Sequence, residues 1–393
     1  MAATDQLNQV SETVNKLALN KRKIKDLKRK VCYVFQGGGA LGAYQMGAYE
    51  ALRGAGYSPD MIVGISIGGI NSAIIAGNRP ENRIARLNQF WDRITTNVPF
   101  PMLAEFGLAK VHNWWGAQSS LLNGQPGFFK PKLLTPGPLT HSTPDQLSYY
   151  DTSPLRETLL ELIDFKYLNE GHVRLCLGSV ELSSGDFIFF DSHSQVITPE
   201  HVMATGALPP GFPAVKIDGK YYVDGGVFSN TPISRVIDEF AGHPDDIQSI
   251  LCFMVDVFSA KGPYPHSMDG MMERIKDIQL SSHSKRPSSL FATAQNLSNA
   301  VNYLSSLLTP EQLERSEVQE IMKLGYAHQL DVVHLIYHSP RGTELQSKDY
   351  NFSKEACVLH RKLGFDATNN LIAEKRVEWD KKHLDGLTIY TQE

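Results

Sequence analysis

Two short apolar runs, each followed at once by a glycine-containing turn and then by helical periodicity, constrain this chain more than any other feature. Val31-Cys32-Tyr33-Val34-Phe35 reads as a buried strand that runs into Gly37-Gly38-Gly39, after which a helical pattern continues through Tyr44 to Leu52. Met61 to Ile65 reads as a second strand and leads directly into Ser66 and a helix beginning near Gly68. Strand, turn and helix repeated in this order specify an α/β fold with a mostly parallel central sheet flanked by helices. Val173 to Val180 and Phe187 to Phe190 read as further strands, joined as a hairpin around Ser183-Ser184-Gly185-Asp186, and Ile250 to Val257 as another buried strand.

The first glycine run admits two uses. Gly37-Gly38-Gly39-Ala40-Leu41-Gly42 fits the G-x-G-x-x-G pattern of a dinucleotide site. Such a site also needs an acidic residue at the end of the second strand, to hold the ribose. Asp60 precedes that strand, and its carboxyl end carries Gly64 and Ser66 instead, which weighs against a nucleotide. The other use is an oxyanion hole. Glycine lets backbone approach a ligand closely, and successive N–H groups at a helix start can meet a developing negative charge.

Gly64-Ile65-Ser66-Ile67-Gly68 between a strand and a helix is the pattern of a nucleophile elbow, in which glycines relieve crowding at a sharp turn and the hydroxyl is presented at the sheet edge. The bare pentapeptide is also compatible with an ordinary turn. Tyr221-Tyr222-Val223-Asp224-Gly225-Gly226 ends an apolar strand on an aspartate, and Asp-Gly by itself is a strong turn signal. A serine nucleophile needs a base. His193, His201, His243, His266 and His283 lie in polar or turn-like sequence and read as surface residues. A partly desolvated carboxylate can serve in place of histidine.

Taken together, Gly37-Gly38-Gly39, Gly64-Ile65-Ser66-Ile67-Gly68 and Asp224-Gly225-Gly226, in that order, resemble the patatin-like phospholipase family. The stretch from Ala204 to Pro213, leading through Asp218-Gly219 to the aspartate, is similar to the family's pre-aspartate segment, so the likeness covers roughly residues 31–260. The resemblance implies a three-layer α/β sandwich and a Ser–Asp dyad without histidine, and requires no metal or cofactor. By position Ser66 is then the nucleophile, Asp224 the base, and the N–H groups around Gly37, Gly38 and Gly39 the oxyanion hole. One departure stands out: many members carry Arg or Lys two places after the triple glycine, where this chain has Ala40 and Leu41. A cation there would help to hold a phosphate, so its absence weakens a phospholipid substrate more than ester hydrolysis. The expected function is cleavage of fatty-acyl esters of lipids, of phospholipase A or lysophospholipase type. Acyl transfer, depolymerisation of a storage polyester on the same dyad, and an idle membrane- or partner-binding protein remain as alternatives.

The expected organisation is a basic amphipathic helix or arm over residues 1–30, a catalytic domain over 31–265, and an extension over 266–393 packed on it. The extension is mainly helical, broken by a strand-like run from Val332 to Tyr337, and resembles the extra domain of one bacterial branch of the family. In the arm Leu7, Val10, Val14 and Leu17 form one narrow apolar stripe. Lys21, Arg22, Lys23, Lys25, Lys28, Arg29 and Lys30 follow. Such a run is either a solvated face or an attachment to an anionic lipid surface. A net charge of −4 gives no overall case for nucleic acid. Cys32, Cys176, Cys252 and Cys357 lie far apart, without metal-ligand spacing or a disulfide framework. The first 19 residues lack the apolar stretch of a signal peptide, and no run reaches the ~18 apolar residues of a membrane span. The expected location is cytoplasmic, with peripheral membrane contact open. From 95 to 150 the sequence is rich in Pro and Gly, and Trp114, Trp115, Phe128 and Phe129 there either line an acyl groove or pack a core edge.

Overall fold

The computed structural model describes residues 29–98, 108–137, 139–241, 249–281, 297, 300, 301, 303–305, 307–322, 329–340, 344–380 and 387–391. The apolar stripe of the arm and its cations from Lys21 to Lys28 lie outside the described residues, as do His243 and His283.

The two opening runs form strands β1 (Lys30–Phe35) and β2 (Met61–Gly64), which pair in parallel. Helix α1 (Gly42–Gly54) follows the first and α2 (Ile67–Ala76) the second. Next come α3 (Arg83–Ile94), α4 (Ala109–Asn123), the short antiparallel pair β3 (Lys130–Pro131) and β4 (Tyr150–Asp151), α5 (Ser153–Leu162) and α6 (Phe165–Asn169). The hairpin β5 (Arg174–Glu181) and β6 (Phe187–Asp191) turns where the glycine and aspartate at 185 and 186 suggest. Helix α7 (Pro199–Thr205), strands β7 (Val215–Ile217) and β8 (Lys220–Asp224), α8 (Ile233–Ala241) and β9 (Ser249–Asp256) complete the part that carries the motifs. Beyond it lie α9 (Met268–Leu280), α10 (Pro310–Leu313), α11 (Ser316–Met322), β10 (Gln329–Ile336), α12 (Lys354–Trp379) and β11 (Leu387–Thr391).

The main sheet has the order β11-β10-β9-β1-β2-β5-β8-β7, with β6 on the other edge of β5. Pairing is parallel from β11 to β5 and antiparallel around β8. Both faces are covered, as continuous apolar strands require. Tyr33, Phe35, Phe253 and Val255 face the larger core, which α1, α2 and α12 help to fill. Cys32, Val34, Cys252 and Met254 alternate onto the opposite face, under Ile233 and Val236 of α8. All four cysteines are free and buried, and burial pushes the Cys252 thiol up to about 12, so they pack as small hydrophobes.

The C-terminal region adds β10 and β11 to this same sheet. Helix α12 lies against α1, and two glycines permit the contact: a Cβ on Gly47 would meet the Arg361 carbonyl, and one on Gly364 the Tyr44 carbonyl. Arg29 pairs with buried Asp331 of β10 and donates to the Trp379 carbonyl, while Lys30 is exposed on β1. Among the described residues no helix is long and apolar enough to cross a membrane.

Candidate active site

Strand β5 brings the serine and the aspartate together. Its first half pairs with β2 as far as Gly64 opposite Leu177, and its second half pairs with β8 from Asp224 opposite Ser179. The two strands therefore meet end to end along one edge of β5, with only Gly178 between their registers. Each delivers its terminal motif to that gap.

Ser66 sits at φ 54° and ψ −128°, a left-handed conformation that costs a non-glycine residue about 1–3 kcal/mol. Its surroundings hold it there. The Ser66 N–H donates to the Thr205 carbonyl at 2.9 Å and to the Thr205 hydroxyl at 3.2 Å, and that hydroxyl donates to the Gly178 carbonyl at 2.5 Å. Gly64 and Gly68 are required by close approach. A Cβ on Gly64 would press into the Gly68 backbone, and one on Gly68 into the carbonyls of Phe35 and Gln36.

Asp224 is 2% exposed at the end of β8. Its carboxylate accepts from the Gly226 N–H at 2.7 Å, and the Ser66 hydroxyl is near enough to favour its charged form. Burial nevertheless dominates and raises its pKa to about 6, because the Gly226 N–H and the nearby Ser66 hydroxyl only partly offset the lost hydration. Gly225 lies so close to the Gly178 carbonyl that no side chain fits there.

Gly37, Gly38 and Gly39 curl over the same spot and lead into a 3-10 turn, Gly39–Leu41, at the start of α1. The Gly38 and Gly39 N–H groups donate to no protein acceptor among the described residues. Gly39 has φ +52°, and a Cβ there would strike the Asp349 carbonyl. Asn230 donates to the Gly37 carbonyl at 3.0 Å. Behind the loop Gln36, fully buried, accepts from the Val257 and Phe258 N–H groups at 2.6 and 3.0 Å.

A cavity of about 400 Å³ opens over these groups. Ser66, Asp224 and the three glycines form its polar end; Ile70, Phe128, Phe129, Phe212 and Phe352 are among its apolar walls. The two aromatic pairs thus part company. Phe128 and Phe129 are buried and pack at a tilt against Phe212, whereas Trp114 and Trp115 on α4 are 47% and 52% exposed and do not line the cavity. None of the described histidines lines it either. His201 is not the surface residue expected of it: it is buried and closes the capping box with Thr198 at the start of α7. Ala40 and Leu41 are fully buried. Asn230 and Asp349 went unremarked in the sequence, and Thr205 and Gly178 were read only as parts of longer stretches, because single residues of these types carry no pattern. Among the described residues no group of three or more His, Cys, Asp or Glu side chains is arranged to hold a metal.

A strained turn between strand and helix at the carboxyl edge of a mostly parallel sheet is the geometry of the α/β hydrolytic proteins as a class. A family model described as patatin-like phospholipase matches residues 33–237, more than half of the chain, and another, described as patatin phospholipase, matches residues 278–383. The chain belongs to the patatin-like phospholipase family, a family of lipid acyl hydrolases. None of the curated proteins matches the chain. Among solved structures, the crystal structure of VipD from Legionella pneumophila is similar at 13% identity, over 95% of this chain and 77% of that one, with a TM-score of 0.35.

Proposed function

We propose that this protein cleaves fatty-acyl esters of lipids, of phospholipase A or lysophospholipase type, through a Ser66–Asp224 dyad and an acyl-enzyme. The Ser66 hydroxyl attacks the acyl carbonyl and passes its proton to the Asp224 carboxylate. The oxyanion that forms accepts from the Gly38 and Gly39 N–H groups, and donors of this kind are worth roughly 3 kcal/mol each in acyl transfer. Collapse expels the alcohol, which takes the proton from Asp224. Water then attacks the acyl-serine and gives a proton to Asp224; on collapse that proton returns to Ser66, and the fatty acid leaves.

The observation that carries this reading is Ser66, on its strained turn, beside a buried carboxylate whose pKa is raised to about 6, at the polar end of an apolar cavity. An ordinary aspartate is too weak a base for a serine hydroxyl; one lifted towards neutrality is better matched to the task. The apolar walls suit an acyl chain. No Lys or Arg among the described residues lines the cavity, so the reading rests on the ester and not on a phosphate.

The test is hydrolysis of a p-nitrophenyl acyl ester together with labelling by a fluorophosphonate. Ser66→Ala is expected to abolish both, and Asp224→Asn to abolish hydrolysis, with circular dichroism unchanged. An Asp224→Asn protein with normal turnover would sink the dyad.

A further inference from the structure

The C-terminal region is tied to the glycine loop by contacts that packing alone does not call for. Asp349 belongs to a 3-10 turn, Lys348–Tyr350, and its carbonyl lies directly against Gly39, where no Cβ would fit. Three consecutive residues of that turn engage one face of α9. Lys348 donates to Glu273 at 3.1 Å and to Asp277 at 3.0 Å. The Asp349 carboxylate accepts from Lys276, which also donates to the Tyr350 hydroxyl at 2.9 Å and lies 4.1 Å over the Tyr350 ring. Residues 273, 276 and 277 share a helix face through their three- and four-residue spacing.

The last residue of α9, one turn further on, also reaches the loop. The Leu280 carbonyl accepts from Gln36 Nε2 at 2.8 Å and from Asn230 Nδ2 at 3.2 Å, and the same Asn230 amide holds the Gly37 carbonyl. Leu280, Asp349 and Tyr350 all line the cavity. Lys348 is 3% exposed and Lys276 and Asp349 are mostly buried, so these pairs carry a desolvation cost that apolar residues would avoid. What charged, directional contacts add over apolar packing is a fixed register of turn against helix.

We infer that α9 and the Lys348–Tyr350 turn clamp the glycine loop in its oxyanion-binding shape, with Lys276 and Asp349 as positioning residues for ester hydrolysis. The inference rests on the reading that Ser66 and the loop amides carry acyl transfer. It gives the C-terminal region a part in the reaction: the loop is shaped by residues that follow it by more than 200 positions. Misplacement of the oxyanion donors by a fraction of an ångström slows the chemistry without altering the groove that holds the acyl chain.

The experiment compares wild type with Lys276→Met, Lys276→Arg and Asp349→Asn in the full chain. Four quantities are read: kcat and KM for a p-nitrophenyl ester, affinity for a long-chain trifluoromethyl ketone that forms a tetrahedral adduct on the serine, and affinity for the free fatty acid. Lys276→Met is expected to lower kcat about 10- to 100-fold with little change in KM. Ketone affinity should fall by a similar factor and fatty-acid affinity should hold, because only the adduct uses the oxyanion donors. Lys276→Arg should recover much of the loss. Asp349→Asn, which keeps its shape and one acceptor, should show the same pattern in milder form and answers the question if Lys276→Met fails to fold. Unchanged kcat and ketone affinity in a folded Lys276→Met or Asp349→Asn protein would overturn the clamp alone. So would equal losses of ketone and fatty-acid affinity, which mark a mere cavity wall. A wild type that neither turns over the ester nor labels with a fluorophosphonate overturns the hydrolase reading and the clamp with it.

Discussion

The elbow at Ser66 and the glycine loop at Gly37-Gly38-Gly39 meet at the polar end of the cavity, but they are built in opposite ways. The elbow is almost self-sufficient: its two glycines close on each other and on the end of β1, and the Ser66 N–H is held from outside by Thr205. The loop depends on distant chain. Asn230, Leu280 and Asp349 shape it from regions that the elbow does not touch. A nucleophile can be presented by local strain, because a single residue must be fixed. An oxyanion hole fixes several N–H vectors at once, and a glycine-rich segment has too much conformational freedom to do so unaided.

The largest effect belongs to the elbow's partner. Asp224→Asn should lower ester hydrolysis by as much as about four orders of magnitude, the upper end of what a positioned general base contributes. It should also stabilise the fold at neutral pH. The folded pKa of about 6 lies above the ordinary 3.8, so the folded state binds more protons than the unfolded state between these values, and stability falls as pH rises through that window. Above pH 6 the buried carboxylate therefore costs about 3 kcal/mol, which the neutral amide avoids. Thermal melts at pH 7 should show the variant above wild type, with the gap closing near pH 4. The same ionisation governs activity: the base must be charged, so kcat/KM of the wild type should drop as pH falls through about 6. A melt in which Asp224→Asn is less stable than wild type at pH 7 would contradict the desolvation argument.

Next in size is the loop. Gly39→Ala should reduce kcat about a hundredfold, the scale of a lost oxyanion donor, because φ +52° is strained for alanine and the new methyl meets the Asp349 carbonyl. Labelling of Ser66 by a fluorophosphonate should slow in parallel. If it does not, the loop is less dependent on the Asp349 contact than its geometry implies, and the contrast with the elbow breaks.

That contrast also explains what could be read from the amino acids. Strands such as Val31 to Phe35 and Ile250 to Val257 were legible because burial on both faces leaves a continuous apolar run, and they appear within a residue or two of their expected ends. The elbow and the Asp-Gly-Gly turn were legible because tight turns admit few residue types. Helix α4 was not: its Val111, Trp114, Trp115 and Leu122 are exposed, so its apolar residues draw no inward stripe. Strand β11 was missed as five residues of mixed polarity at one edge of the sheet. The loop's supports were invisible for a different reason. An asparagine, a leucine carbonyl and a lysine–aspartate pair have no local signature; for Asp349, only the folding of β10 and α12 back onto β9 and α1 brings it to the loop.

Thr205 offers the finest test of the difference. Its carbonyl holds the Ser66 N–H from outside the elbow, and replacing the residue with valine removes a hydroxyl while keeping the shape. The Ser66 N–H would keep the Thr205 backbone carbonyl at 2.9 Å, so its main anchor survives. What is lost is the donor to the buried Gly178 carbonyl, at a cost of about 1–3 kcal/mol in stability. If the elbow is held chiefly by Gly64 and Gly68, Thr205→Val should unfold at lower denaturant while kcat stays within about threefold of wild type, the equivalent of under 1 kcal/mol at the transition state. A loss as large as that of Gly39→Ala would mean that the serine, too, is positioned from a distance, and that local strain alone does not present it.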